Sequence, residues 1–177
     1  LEVELGTGKG KFIAEMAETH PQKIFIGVEA QQDIIYYAAL KIKQRGLTNA
    51  KLVLYDVNDI TEIFAPGEIN RLYINFCDPW PKNRHAKRRL THAGFLMKYG
   101  QILQPNGELW FKTDNEQLFE FSLNQFADMD LKLSKITFDL HKKEPEDNIR
   151  TEYEEKFAGQ GLRIYRCEVK FPGIKQN

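Results

Sequence analysis

Two apolar periods alternate along the chain. Leu1–Leu5 reads as a strand, and Phe12, Ile13, Met16 and Ala17 recur at helical spacing until Pro21 stops them. Lys23–Glu29 is a second strand. Gln31–Arg45 is predicted as a helix with Ile34, Ile35, Ala38, Ala39 and Ile42 on one face and Gly46 as its C-cap. Lys51–Tyr55 is a third strand, Asn58–Phe64 a short helix ended by Pro66-Gly67, and Arg71–Cys77 a fourth strand. Leu90, Ala93, Met97 and Gly100 mark another helix. Asn106-Gly107 is a turn into a fifth strand, Glu108–Thr113. Phe119, Leu123 and Phe126 mark another helix. Leu131–Leu140 and Arg163–Phe171 are two final strands, separated by a polar, acidic stretch. Alternating strands and helices imply an α/β fold, a parallel sheet with helices on both faces. Ligands bind such sheets beyond the carboxyl ends of the strands.

Composition narrows this picture. The 177 residues suit one domain, 1–177, and 21 aromatic residues give it apolar surface enough to offset its ordering entropy. Leu1–Leu5 is a strand already under way with no initiator Met, so a short upstream segment is expected. Cys77 and Cys167 lie far apart in strand-like runs and read as reduced core thiols. The four histidines are scattered and predict no metal site. No apolar run approaches the roughly 20 residues that span a bilayer, and there is no signal peptide, so a cytoplasmic protein is expected.

The segment Glu4-Leu5-Gly6-Thr7-Gly8-Lys9-Gly10 joins a strand to a helix, where glycines allow a tight turn and a close ligand. Lys11 stands where the dinucleotide fingerprint needs a third glycine, and no phosphate-binding loop is present. An acid two residues before the first glycine suits S-adenosylmethionine, which carries an amino acid and a sulfonium but no phosphate. Glu29, Asp56 and Asp78 end the next three strands; Glu29 is placed to accept ribose hydroxyls and Asp56 to meet an adenine amino group. Singly, each acid reads as a helix N-cap or a turn residue. Four at consecutive strand ends, beside a glycine loop, predict a cofactor bowl.

Asp78-Pro79-Trp80-Pro81 leaves the fourth strand with its backbone restricted by two prolines. Trp80 stacks on a base, covers the cofactor, or packs on the sheet edge. Residues 79–107 carry six cations and no acid. The zero net charge of the chain, 25 cations against 25 acids, therefore averages a patch of +6 and two flanks of −3 each. Such a run is a solvated helix face or a phosphate-contacting surface; its place beside the Asp78 loop favours nucleic acid.

With these motifs in view, the chain resembles bacterial tRNA (guanine-N7)-methyltransferases over Leu1 to about Glu168. The markers are EVELGTGKG (2–10), FIGVE (25–29), NFCDPWPKNRHAKRRL (75–90), FKTDN (111–115) and TEYEEKF (151–157). The resemblance implies a class I methyltransferase fold, a Rossmann-like three-layer sandwich with a mostly parallel seven-stranded sheet and an antiparallel last strand. It implies methyl transfer from S-adenosylmethionine to N7 of guanosine 46 in the tRNA variable loop. Glu4, Gly6, Gly8, Glu29, Asp56 and Asp78 would bind the cofactor, with Asp78 catalytic. Lys82, Asp114, Thr151, Glu152, Tyr153 and Glu154 would contact substrate, and Arg84, His85, Lys87, Arg88 and Arg89 the RNA. Asp114 or Glu154 would read the guanine's Watson–Crick edge. A monomer or homodimer is implied, with homodimer favoured. Competing readings are a methyltransferase with another RNA or protein acceptor, a non-catalytic RNA-binding subunit, and a nicotinamide dehydrogenase, which Lys11 disfavours.

Overall fold

The computed structural model describes residues 1–172. Its strands are β1 (Glu2–Leu5), β2 (Phe25–Glu29), β3 (Ala50–Leu54), β4 (Ile69–Asn75), β5 (Leu103–Thr113), β6 (Lys132–Thr137) and β7 (Tyr165–Lys170). They form one sheet in the order β3-β2-β1-β4-β5-β7-β6. The first five pair in parallel, and β7 enters antiparallel between β5 and β6. This is the expected seven-stranded architecture with its last strand reversed.

The helices are α1 (Lys11–Thr19), α2 (Gln32–Gln44), α3 (Ala93–Ile102), α4 (Glu116–Asp128) and α5 (Glu152–Ala158). One sheet face is a conventional core. Val3, Leu5, Leu72, Ile74, Leu109, Phe111, Cys167 and Val169 point from it into the buried faces of α3 and α4. The other face receives α1 through Phe12, Ile13, Met16 and Ala17, the four apolar positions expected to be buried. Strand residues of that second face are largely polar: Glu2 and Glu4 on β1, Arg71, Tyr73 and Asn75 on β4, Trp110 and Lys112 on β5, Arg166 and Glu168 on β7. Most of these are buried despite their charge.

Several boundaries differ from the sequence reading. Only Ala38 of the expected α2 stripe is buried; Ile34, Ile35 and Ile42 are half-buried and Ala39 is exposed. The helix lies near the sheet edge and presents Tyr36 and Tyr37 to solvent. Gly46 does end it: the Leu47 N–H donates to the Ile42 carbonyl at 3.2 Å while Gly46 takes a φ of 63°. The short helix after β3 is a 3-10 turn, Val57–Glu62. The Asn106-Gly107 turn does not precede β5 but bulges within it, because Ile69 already pairs with Leu103 before Arg71 pairs with Glu108. β6 stops at Thr137, and a 3-10 turn, Leu140–Lys143, follows. The polar stretch between the last strands contains α5, capped by Thr151, whose Oγ1 accepts from the Glu154 N–H at 3.0 Å. No helix among the described residues is long and apolar enough to cross a membrane.

Gly10 opens α1 at a φ of 75°, and a Cβ there would lie 2.6 Å from Ala38 Cβ on α2. This contact lets α1 and α2 meet where the glycine loop turns. Gly10→Ala is therefore expected to destabilise the protein by about 2–4 kcal/mol, from backbone strain and overpacking together. Urea unfolding measures it, and a loss within about 0.5 kcal/mol would contradict the close approach.

Candidate active site

The carboxyl ends of β1, β2, β3 and β4 open into one cleft with two lobes. A lobe of about 330 Å³ is lined by Glu4, Gly6, Gly8, Phe76 and the start of α5. A lobe of about 660 Å³ is lined by Gly6, Glu29, Asp56, Phe76, Asp78 and Trp80. Gly6 and Phe76 belong to both, so the lobes adjoin. Three of the four expected acids share the larger lobe and Glu4 faces the smaller one.

Each acid is held differently. Glu4 is buried, accepting from the Thr7 hydroxyl at 2.6 Å and the Asn75 amide at 2.9 Å. Burial pushes its carboxyl up to about 7, and these hydrogen bonds only partly oppose that. Glu29 accepts three backbone N–H groups, from Gly8 at 3.0 Å, Ala30 at 3.0 Å and Gln31 at 3.1 Å. It thereby ties the glycine loop to the end of β2 and keeps about one lone-pair position, on Oε2, for a ligand hydroxyl. Asp56 caps the following 3-10 turn by accepting from the Asn58 N–H at 2.8 Å. It thus does what an isolated acid at a strand end does, while still lining the lobe. Asp78 is exposed and has no hydrogen-bond or ion-pair partner among the described residues. Beside it, burial and then the Asp78 charge push the Cys77 thiol up to about 12, which keeps it neutral.

The backbone around Asp78 is strained. Phe76 and Trp80 adopt φ of 56° and 42°, values that non-glycine residues rarely take. Arg89 compensates. Its guanidinium donates to the Pro79 and Trp80 carbonyls at 3.0–3.2 Å and lies 4.3 Å from the Phe121 ring centroid. Arg89 is buried, so the expectation that it meets RNA is revised: it fastens the loop. Lys82, Arg84, Lys87 and Arg88 are exposed, and none forms an ion pair among the described residues. The Arg88 guanidinium lies 4.9 Å from the Trp80 ring centroid and His85 meets that ring edge-on.

Glu154 is also placed differently from expectation. It is fully buried, 0% exposed, and its carboxylate is turned to partners within the protein. Its Oε2 accepts from Lys112 Nζ at 2.7 Å, and its Oε1 contacts His141 Nε2 at 2.9 Å and the Asn148 amide at 3.0 Å. Burial opposes its ionisation, but Lys112, Asn148 and His141 outweigh it and hold the carboxyl below the usual range. His141, Glu144 and Glu154 lie close enough to suggest a metal trio. Their acceptor positions are already used by Lys112, Arg150 and Asn148. Tyr153, one residue away, donates to Asp114 Oδ2 at 3.1 Å and lays its ring against Phe76, centroids 5.0 Å apart. Thr151 and Glu152 line the smaller lobe, where Glu152 pairs with Lys41. Lys112, His141 and Asn148 escaped the sequence reading. The one signal was a lysine following the apolar Leu109-Trp110-Phe111 near the end of β5, inside the FKTDN motif.

Comparison with known proteins agrees with this geometry. A family model described as "Putative methyltransferase" matches residues 1–167. The chain is 50% identical over 171 residues to a tRNA (guanine-N(7)-)-methyltransferase of Halalkalibacterium halodurans, covering 97% of this chain and 78% of that protein. It is 52% identical over 170 residues to the protein of the same name from Brevibacillus brevis, covering 96% and 79%. A SAM dependent methyltransferase from Aquifex aeolicus shares the fold, with a TM-score of 0.64, 14% identity, and coverage of 96% of this chain and 79% of that one.

Lys112→Met would strand a buried carboxylate and is expected to cost about 3–5 kcal/mol in urea unfolding. Adding Glu154→Gln should recover much of the loss. A single-variant cost below about 1 kcal/mol would show that Glu154 does not depend on Lys112.

Proposed function

We infer that the chain, which belongs to the tRNA (guanine-N(7)-)-methyltransferase family, transfers the methyl group of S-adenosylmethionine to N7 of the variable-loop guanine at tRNA position 46. The observation that carries this reading is the meeting of three features at one mouth. A cleft with acids at its strand ends opens beside the unpartnered Asp78, and exposed cations flank it.

The cleft fits the cofactor's chemistry. A Cβ added at Gly6 or Gly8 would meet no atom within 4 Å, so both glycines front open space. Glu4, buried and short of a positive partner, suits the ammonium end of an amino acid. Glu29 has about one lone-pair position free for a ribose hydroxyl, and Asp56, on the same lobe, suits an adenine amino group. When bound, S-adenosylmethionine supplies an electrophilic methyl carbon on a sulfonium.

Guanine N7 is a free acceptor in the neutral base, so no proton has to leave before it attacks. No general base is required of the protein. Positioning and charge stabilisation are, because the ring becomes positive as the bond forms. Asp78 supplies both through its unpartnered carboxylate. Asp114, steadied by the Tyr153 hydroxyl, accepts from the guanine N1–H and N2 amino group, a pattern adenine lacks. Glu154, held by Lys112 and Asn148, positions the α5 segment that carries Tyr153. Withdrawing a stacked base costs about a few kcal/mol. Trp80, backed by Arg88, and phosphate contacts by Lys82, Arg84 and Lys87 offset it.

Two measurements test the reading. Incubation with labelled S-adenosylmethionine and unmodified tRNA should give 7-methylguanosine, and Asp78→Ala should slow transfer about a hundredfold or more while tRNA still binds. Full activity in that variant would remove Asp78 from the mechanism. The second measurement is pH. A folded Glu4 pKa of about 7 means that a cationic ligand, favouring the ionised form, displaces a proton on binding. S-adenosylmethionine affinity should therefore rise on the order of tenfold between about pH 6 and pH 8, and Glu4→Gln should flatten the profile. A flat wild-type profile would exclude Glu4 as the ammonium's partner.

A further inference from the structure

A second basic and aromatic surface lies at the same end of the sheet as Asp78, outside the cleft. β6 runs antiparallel to β7, as β5 does, so β5 and β6 point the same way. The residues after β6 therefore emerge beside Asp114, on the side away from the Asp78 loop. They form an open concavity of about 650 Å³ lined by Thr137, Phe138, Asp139, Lys142, Lys143 and Arg163. Phe138 is 56% exposed, an unusual state for a phenylalanine. Lys142, Lys143 and Arg163 are exposed and have no ion-pair partner among the described residues. Asp139 is the single acid of the lining.

The patch is rigidly joined to the site. The Leu140 N–H donates to the Ile164 carbonyl at 2.8 Å, which ties the 3-10 turn to the start of β7. His141, next to Lys142, meets the buried Glu154. The ring of Phe138 rests edge-on against Phe119 and Tyr165, with centroids 5.6 Å and 6.2 Å apart. These contacts fix Phe138 from beneath and leave more than half of the residue to solvent.

We propose that Phe138, Lys142, Lys143 and Arg163 form a second tRNA-contact surface, which takes a nucleotide of the substrate other than the methylated guanine. This rests on the tRNA reading above. Phe138 is the platform for an unpaired base, and the three cations meet the phosphates on either side. Charge decides for RNA over an apolar partner, since three cations without an ion pair among the described residues line the patch with its exposed aromatic. Spacing agrees. β4, which leads to Asp78, and β6 are three strand steps apart, about 14 Å, a distance that a few nucleotides of one strand cover. The substrate would thus be held on both sides of the reacting base, by Arg84, Lys87 and Arg88 on one and by this patch on the other.

The test compares wild type with a Lys142→Ala, Lys143→Ala, Arg163→Ala triple variant, whose changes are all at exposed positions. Phe138→Ala and Phe138→Tyr are measured separately. Affinity for unmodified tRNA is read by filter binding across a potassium chloride series, with S-adenosylmethionine affinity by calorimetry on the same samples. The triple variant should bind tRNA about tenfold more weakly or worse, with a log–log salt slope shallower by about 2 to 3. Its cofactor affinity should stay within about twofold of wild type. Phe138→Ala should weaken binding with little change in slope, and Phe138→Tyr should restore it, as stacking requires. An unchanged affinity and slope in the triple variant would overturn the proposal. So would a wild-type dimer that the triple variant converts to monomer, since the patch would then be an interface between copies. A wild type that binds tRNA but yields no 7-methylguanosine refutes the function proposed above, while the binding series still judges the patch.

Discussion

The buried Glu154 carboxylate is the point on which the substrate side of the molecule depends. A fully buried charge is tolerated only when it is paired and hydrogen-bonded. Lys112 comes from β5, His141 from the turn after β6, and Asn148 from the segment before α5. Three parts of the chain with little apolar surface between them are thereby forced together. Lys112 also donates to the Ile149 carbonyl at 2.9 Å, so it holds the backbone leading into α5 as well. With α5 fixed, Thr151, Glu152 and Tyr153 wall the smaller lobe of the cleft. Tyr153 then reaches Asp114, and the proposed base-reading carboxylate inherits its orientation from an ion pair it never touches.

A second constraint works from the opposite side. The loop after β4 carries its acid between two residues of unfavourable φ, and Arg89 binds the carbonyls that such a turn leaves pointing inward. Proline at 79 and 81 limits the alternatives further. The Asp78 carboxylate is exposed and unpaired among the described residues, on a backbone that cannot easily relax, which suits the charge-stabilising role proposed for it. The run of six cations thus divides its labour: Arg89 holds the loop and its neighbours face outward.

Much of the fold was legible because apolar periodicity reports burial. Phe12, Ile13, Met16 and Ala17 repeat at helical spacing and all lie in the core; the glycine loop and the acids at strand ends fell where a parallel sheet puts its ligands. What escaped were elements held by charge. α5 lies in a stretch of acids and cations, and its decisive contact, Glu154 to Lys112, spans 42 residues of chain. No local pattern encodes such a pairing. The resemblance assigns Glu154 to substrate and Arg89 to RNA, yet both are buried, Glu154 against Lys112 of β5 and Arg89 against the Pro79 and Trp80 carbonyls. α2 erred the other way: its apolar positions have helical spacing, but the helix lies at an edge with little sheet beneath it. The polar second face of the sheet had a signal, the alternation through Glu2 and Glu4 and again through Arg71, Tyr73 and Asn75. A parallel strand covered on both faces should not alternate in this way.

The placement of β7 has a consequence for how the protein is made. β7, the last strand in sequence among the described residues, is not last in space; it enters between β5 and β6. Before it is in place, β5 lacks a partner along one side and β6 has no neighbour in the sheet. An open strand edge is a template for pairing with other chains. On one face of that edge β5 carries Glu108, Trp110 and Lys112 rather than an unbroken apolar run. The same lysine that later secures Glu154 thus spends the interval during synthesis as a charge that makes a stray strand a poor partner.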